Sequence, residues 1–199
     1  ISKIIYLFLL NLMGNYISDI PQGSNEFWGW KKDLYDIRDI PLNHKKVHIK
    51  SKVDLRGQMP NVYDQKFLGS CTANAVCGLL HFLKSFEISR LFVYYNQRSL
   101  ENPSTVFYNS PCSIRDCFKA INKYGVCPED KWPYHVNYLT TKPNSSCYKY
   151  AIMMGEIKYR KLSKSLKELK MCLSMGVPFV FGLSIYSSFK DPTLWNPKI

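Results

Sequence analysis

The 199 residues contain no Cys-x-x-Cys pair, no nucleic-acid-type run of Lys and Arg, and no internal repeat. They also contain no apolar run approaching the roughly 20 residues that a membrane-spanning helix needs; the longest is Ile4–Leu10. These absences argue against a structural zinc site, a transmembrane anchor and a repeat array. Acidic residues are few, 15 against 27 Lys and Arg, giving a net charge of +12. Such an excess attracts acidic partners in general, but without a basic run no nucleic-acid partner is expected. Histidine is scarce, with only four: His44, His48, His81 and His135. His44 and His48 stand at helical ligand spacing, but they sit in the Lys-rich stretch 43–51, which reads as a solvated linker. No metal and no cofactor are expected.

Apolar residues make up 46% and aromatics 15% of the chain, which excludes a disordered architecture and is enough for a real core. The seven cysteines are an odd number, so a monomer keeps at least one free thiol. They are too sparse for a disulfide scaffold and fit a reducing, cytoplasmic compartment, although the apolar start leaves secretion open. The chain begins at Ile1 rather than Met. Residues 1–12 read as a clipped leader or as translation upstream of a start at Met13, since Asn11–Asn15 is a poor cleavage site. Residues 13–52 read as an N-terminal arm and linker, with the tryptophans of Phe27-Trp28-Gly29-Trp30 as anchors.

Helical periodicity begins at Ser70-Cys71, where Ala73, Val76, Leu80 and Leu83 mark one buried face, with Gly69 and Ser70 as turn and cap. A second helix is expected from Ser89 to about Leu100. A third runs from an N-cap at Ser113, with Asp116 three residues on, to Tyr124 and a stop at Gly125. Residues 126–150, with Pro128, Pro133 and Pro143, read as loop. A fourth helix opens with Ser165 and Glu168 as a capping box and ends before Gly176-Val177-Pro178. Phe179–Tyr186 reads as a buried strand that needs partners. The layout is therefore a helical part over 53–176 and a first strand over 177–199.

Cys71 stands where a Gly-Ser turn meets an amphipathic helix. The partial positive charge of a helix N-terminus favours the thiolate and lowers a cysteine pKa, which makes a nucleophile available near neutral pH. Gln65, six residues earlier on the loop that leads into the helix, can offer its amide to an oxyanion together with the Cys71 N–H. The competing reading is one more buried core thiol; the turn, the helix start and the upstream glutamine favour the nucleophile.

The stretch Val62-Tyr63-Asp64-Gln65-Lys66-Phe67-Leu68-Gly69-Ser70-Cys71-Thr72-Ala73-Asn74-Ala75 resembles the Cys-box of the papain family of cysteine peptidases. It is most similar to the box of a divergent bacterial and viral branch. The likeness extends through Trp30–Asp39, Ser89–Arg98, Ser113–Asp116, Tyr124–Glu129, Trp132-Pro133-Tyr134 and Pro178–Tyr186, covering about residues 28–190. It implies an α+β papain-like fold, with a helical left half carrying Cys71 and a β-rich right half mostly missing from this chain. It implies Cys71 as nucleophile, Gln65 as oxyanion-hole side chain, and Gly69 and Ser70 lining the substrate cleft. The expected partner is a polypeptide substrate, and the expected state a monomer.

Two departures stand out. Lys66 replaces a glycine, so a left-handed backbone there should be avoided and the loop slightly altered. Leu68 replaces the cysteine that papain pairs in a disulfide. In addition, the general-base His of papain-type enzymes follows the Cys by about 130–150 residues, which lies beyond Ile199. His81 is about 15 Å along the Cys71 helix, and His135 lies in the Trp-Pro-Tyr loop. The sequence thus reads as a cysteine endopeptidase present as a fragment inactive by itself, with a non-catalytic papain-like binding protein as the alternative.

Overall fold

In the computed structural model the described residues are 4–9, 30–42, 47–151 and 157–183. Three helices form the centre: α1 (Cys71–Lys84), α2 (Arg90–Glu101) and α3 (Ile114–Tyr124). Their starts and stops follow local chemistry. Ser89 and Ser113 accept from the amides of Phe92 and Asp116, three residues into their helices. Gly125 ends α3 at φ 76°, where a Cβ would fall 2.0 Å from the Ala151 carbonyl oxygen. The helix α1 ends instead at Ser85, in the left-handed region.

The core is built from the faces the periodicity marks: Val76 and Leu80 of α1, Phe92 of α2, and Phe118 and Ile121 of α3. Leu83 is half-buried at its edge. Burial of these side chains supplies the main driving force at about 25 cal/mol per Å² of apolar surface. Arg98, whose side chain is fully buried, holds this helical core to the neighbouring loops. The Arg98 guanidinium donates to the carbonyls of Val106 (3.1 Å), Tyr108 (2.6 Å) and Leu139, and lies 4.2 Å from the Tyr94 ring centroid. It thereby fastens the segment after α2 to the loop after α3. Burial lowers its pKa.

A further helix, α4 (Ser145–Ala151), lies within the stretch read as loop. Seven residues are too few to display a period; Asn144 starts the helix by accepting from the Cys147 amide, and Cys147 and Ala151 are buried. The next helix, α5 (Leu166–Ser174), begins where expected, but the box closes differently. Ser165 makes no side-chain cap bond, and Glu168 instead accepts from the backbone and hydroxyl of Ser163.

Among the described residues, three parallel strands form a sheet: β1 (Ile4–Leu9), β2 (Lys158–Leu162) and β3 (Phe179–Gly182), in the order β2-β1-β3. The apolar run at the start of the sequence thus supplies the central strand. β2 was not expected, because Lys158, Arg160 and Lys161 hide the strand pattern. Strand β3 ends at Gly182, and residues 184–186 of the expected strand lie outside the described residues.

Residues 30–42 lie along the domain, where charges hold them as much as tryptophan does. Trp30 bridges to Cys112 and packs on the core; Trp28 lies outside the described residues. A Cβ at Gly182 would lie 2.3 Å from the Trp30 ring, so this crossing requires glycine. Asp33 accepts from the Arg115 amide, Arg115 pairs with Asp39 at 2.8 Å, and Lys161 reaches the same carboxylate at 2.8 Å. No helix among the described residues is long and apolar enough to cross a membrane.

Candidate active site

Cys71 is the first residue of α1, and of the seven cysteines it alone is not buried. The contrast is chemical as well as steric. Burial pushes the thiols of Cys77, Cys112 and Cys117 far up and those of Cys127 and Cys172 up to about 12. Those five are therefore protonated and inert near neutral pH.

Ser70 is at the N-cap position of α1, but its hydroxyl does not cap the helix. Its φ/ψ of −96°/19° differ from the extended geometry at Ser89 and Ser113. Its hydroxyl meets the Tyr134 hydroxyl at 2.6 Å and accepts from Asn74 Nδ2 at 2.9 Å. No acidic residue stands in the first turn of α1. The positive end of the helix dipole is thus left beside the thiol, uncancelled by a capping hydroxyl or a first-turn carboxylate.

The loop before Cys71 is held from both ends. Leu68 N–H donates to the Gln65 carbonyl (3.2 Å), and the Gln65 amide donates back to the Leu68 carbonyl (3.0 Å), which fixes the plane of that amide. Asn109 clasps the other side, accepting from Gly69 N–H at 2.7 Å and donating to the Phe67 carbonyl at 3.0 Å. Thus hydrogen bonds brace the two neighbours of Leu68, at the position where papain uses a disulfide. Lys66 takes φ 53°, so the expectation that its side chain would exclude a left-handed backbone is overturned. Asp64 stabilises the turn, accepting from Lys66 N–H at 2.7 Å and pairing with its ammonium at 2.7 Å. Gly69 and Ser70 are both buried, and the Ser70 side chain is taken up by bonds within the site.

Behind the loop, Arg90 is stacked between Tyr63 and Tyr134, 4.4 and 4.1 Å from their ring centroids. It donates to Asn74 Oδ1 (3.1 Å) and pairs with Glu129 (3.3 Å). Glu129 also accepts from the Arg90 and Tyr134 amides. Burial raises the Glu129 pKa against the pull of Arg90. Sequence reasoning placed Tyr134, Arg90 and Asn74 within matching stretches but gave them no role.

The histidines have their own neighbours. His81 Nδ1 lies 3.2 Å from the Tyr63 hydroxyl, and the His135 ring stands edge-on to Tyr138 at 5.6 Å. His48 is exposed, and His44 lies outside the described residues. No group of three side chains suited to a metal ion occurs among the described residues.

No family model matches the chain. An uncharacterized peptidase C1-like protein of Acanthamoeba polyphaga mimivirus is 33% identical over 196 residues, covering 81% of this chain and 62% of its own. The crystal structure of xylellain, a cysteine protease from Xylella fastidiosa, superposes with a TM-score of 0.70 at 35% identity, covering 76% of this chain and 64% of that one. The chain therefore spans less than two thirds of either relative. In sequence and in fold alike, the chain is thus similar to papain-like cysteine peptidases, and its fold is α+β with a helical half of that kind.

Proposed function

We propose that this chain carries the nucleophile and the oxyanion loop of a cysteine endopeptidase acting on polypeptides. The observation that carries this reading is the environment of Cys71: an accessible thiol at an uncapped helix start, among six buried ones. In the proposed reaction the Cys71 thiolate attacks the peptide carbonyl carbon and the carbonyl electrons move to oxygen. The carbonyl re-forms as the C–N bond breaks, the amine taking up the proton that the thiol gave up on forming the thiolate. Water then adds to the acyl carbon, releasing the carboxylic acid and returning the thiol. The Cys71 N–H and the Gln65 amide are the donors we assign to the oxyanion. The bond that the Gln65 carboxamide gives to the Leu68 carbonyl fixes its orientation. Gly69 and Ser70 would contribute to the cleft through their backbone.

A peptidyl epoxide or peptidyl aldehyde tests the assignment on the chain itself. Covalent capture at Cys71, competed by an unlabelled peptide and lost in Cys71→Ala, is the expected result. Indifference of Cys71 to peptidyl reagents, despite ordinary alkylation by small haloamides, would turn the reading towards a binding protein.

A further inference from the structure

We infer that the Tyr134 hydroxyl is a positioning group for the oxyanion loop, locking the Gln65 backbone to the residue that precedes the nucleophile. The inference rests on the peptidase reading above and adds a residue to it. Tyr134 lies 64 residues after Ser70 and 69 after Gln65, yet its one oxygen touches both, at 2.6 Å from Ser70 Oγ and 2.9 Å from the Gln65 carbonyl.

Proton bookkeeping gives these bonds a direction. The Gln65 carbonyl can only accept, so the Tyr134 O–H proton points to it. The Ser70 hydroxyl must then donate to Tyr134 Oη, and it accepts in turn from Asn74 Nδ2. Asn74 Oδ1 accepts from Arg90. The chain runs one way, Arg90 to Asn74 to Ser70 to Tyr134, and ends at the Gln65 backbone carbonyl; the Gln65 side-chain amide separately donates to the Leu68 carbonyl. Tyr134 is itself fixed by Glu129 at its backbone amide (2.8 Å) and by Arg90 on its ring. Burial raises its pKa, so the phenol keeps the proton it donates.

The consequence is specific to the step that develops an oxyanion. Alkylation by iodoacetamide needs the thiolate alone. Acylation by a p-nitrophenyl ester forms the Cys71 S–C bond, places negative charge on the carbonyl oxygen, and then breaks the C–O bond to release p-nitrophenolate. Only the second reaction uses Gln65. Tyr134→Phe keeps the ring on Arg90 and deletes the hydroxyl.

The test measures both rates at Cys71 in four proteins: wild type, Tyr134→Phe, Gln65→Ala and the double variant. We expect Tyr134→Phe to slow acylation about tenfold and to change alkylation by less than about twofold. On the Gln65→Ala background the same change should have no further effect, because coupled groups are not additive. Ser70→Ala, which removes the neighbouring link, should reproduce the selective loss if Tyr134→Phe proves poorly folded. Equal acylation of wild type and Tyr134→Phe, equal loss in both reactions, or multiplicative losses in the double variant would each overturn the positioning role while leaving the nucleophile assignment intact. A wild-type chain that alkylates at Cys71 but is never acylated there would overturn both.

Discussion

At Ser89 and Ser113 the hydroxyl accepts an amide of its own helix, and a carboxylate from a distant segment takes a second one. Glu129 holds the Arg90 amide of α2 and Asp33 the Arg115 amide of α3. At Ser70 the hydroxyl is turned away to Tyr134 and Asn74, and the first turn of α1 has no acid. Two helices in the same core thus neutralise their positive ends twice over, and the third leaves its positive end facing Cys71. A cap is worth about 1 kcal/mol of stability. Forgoing it at one helix out of three is a local cost that makes sense where a negative charge is to be held.

The largest effect should come from the residue that joins these unlike starts. Arg90 begins α2, pairs with Glu129 and braces Asn74 of α1. Arg90→Leu leaves the Glu129 carboxylate buried without its partner, which costs about 3–5 kcal/mol. Urea unfolding would read this as a much lower midpoint, and a loss below about 1 kcal/mol would mean that the pair does not join the two helix starts.

Next comes giving α1 the charge its neighbours have. Gln65→Glu keeps the shape and removes the N–H donors that we assign to the oxyanion, placing a carboxylate on the loop before α1. Acylation at Cys71 should fall by about 10²–10³, the usual effect of losing one oxyanion-hole donor. Wild-type rates in this variant would remove Gln65 from the site.

A smaller effect is expected at an ordinary cap. Ser113→Ala should cost about 1 kcal/mol, seen as a fall of about 2–4 °C in Tm for a chain of this size, with alkylation of Cys71 unchanged. A change in Cys71 reactivity would show that the helix starts are not independent.

How much of this was legible in the sequence divides along the same line. The starts of α2 and α3 could be read because Ser89 and Ser113 meet partners three residues away. The placement of Cys71 could be read because the turn and the helix are contiguous. The fate of the Ser70 hydroxyl could not, because it is decided by Tyr134, which only the folded chain brings alongside. Likewise, Asn109 reaches Gly69 from 40 residues away. β2 was hidden because its cations are placed by neighbours rather than by alternation, with Lys161 drawn to Asp39 of the arm.

The smallest effect concerns Asp33, the second cap of α3. Burial raises its pKa above 3.8, and Arg115 and Ser113 offset this only in part. The folded chain therefore binds that proton more tightly than the unfolded one. The associated stability is fully present below about pH 3.8 and is lost as pH rises through the raised value. Asp33→Asn should flatten stability against pH in that window, as followed by urea unfolding from pH 3.5 to 7. An unchanged slope would mean that Asp33 does not titrate as the burial of its carboxyl requires.

The claim that α1 begins as it does in order to hold a reactive thiol is tested most directly by mapping thiol alkylation on the folded chain. Brief iodoacetamide treatment between pH 6 and 8, followed by peptide mass analysis of all seven cysteines, gives their relative rates. Labelling at Cys71 should run at least about tenfold ahead of the other six and persist at the lowest pH, as a thiolate stabilised by a helix N-terminus does. Labelling spread evenly over the seven, or led by a buried thiol such as Cys77 or Cys117, would contradict it.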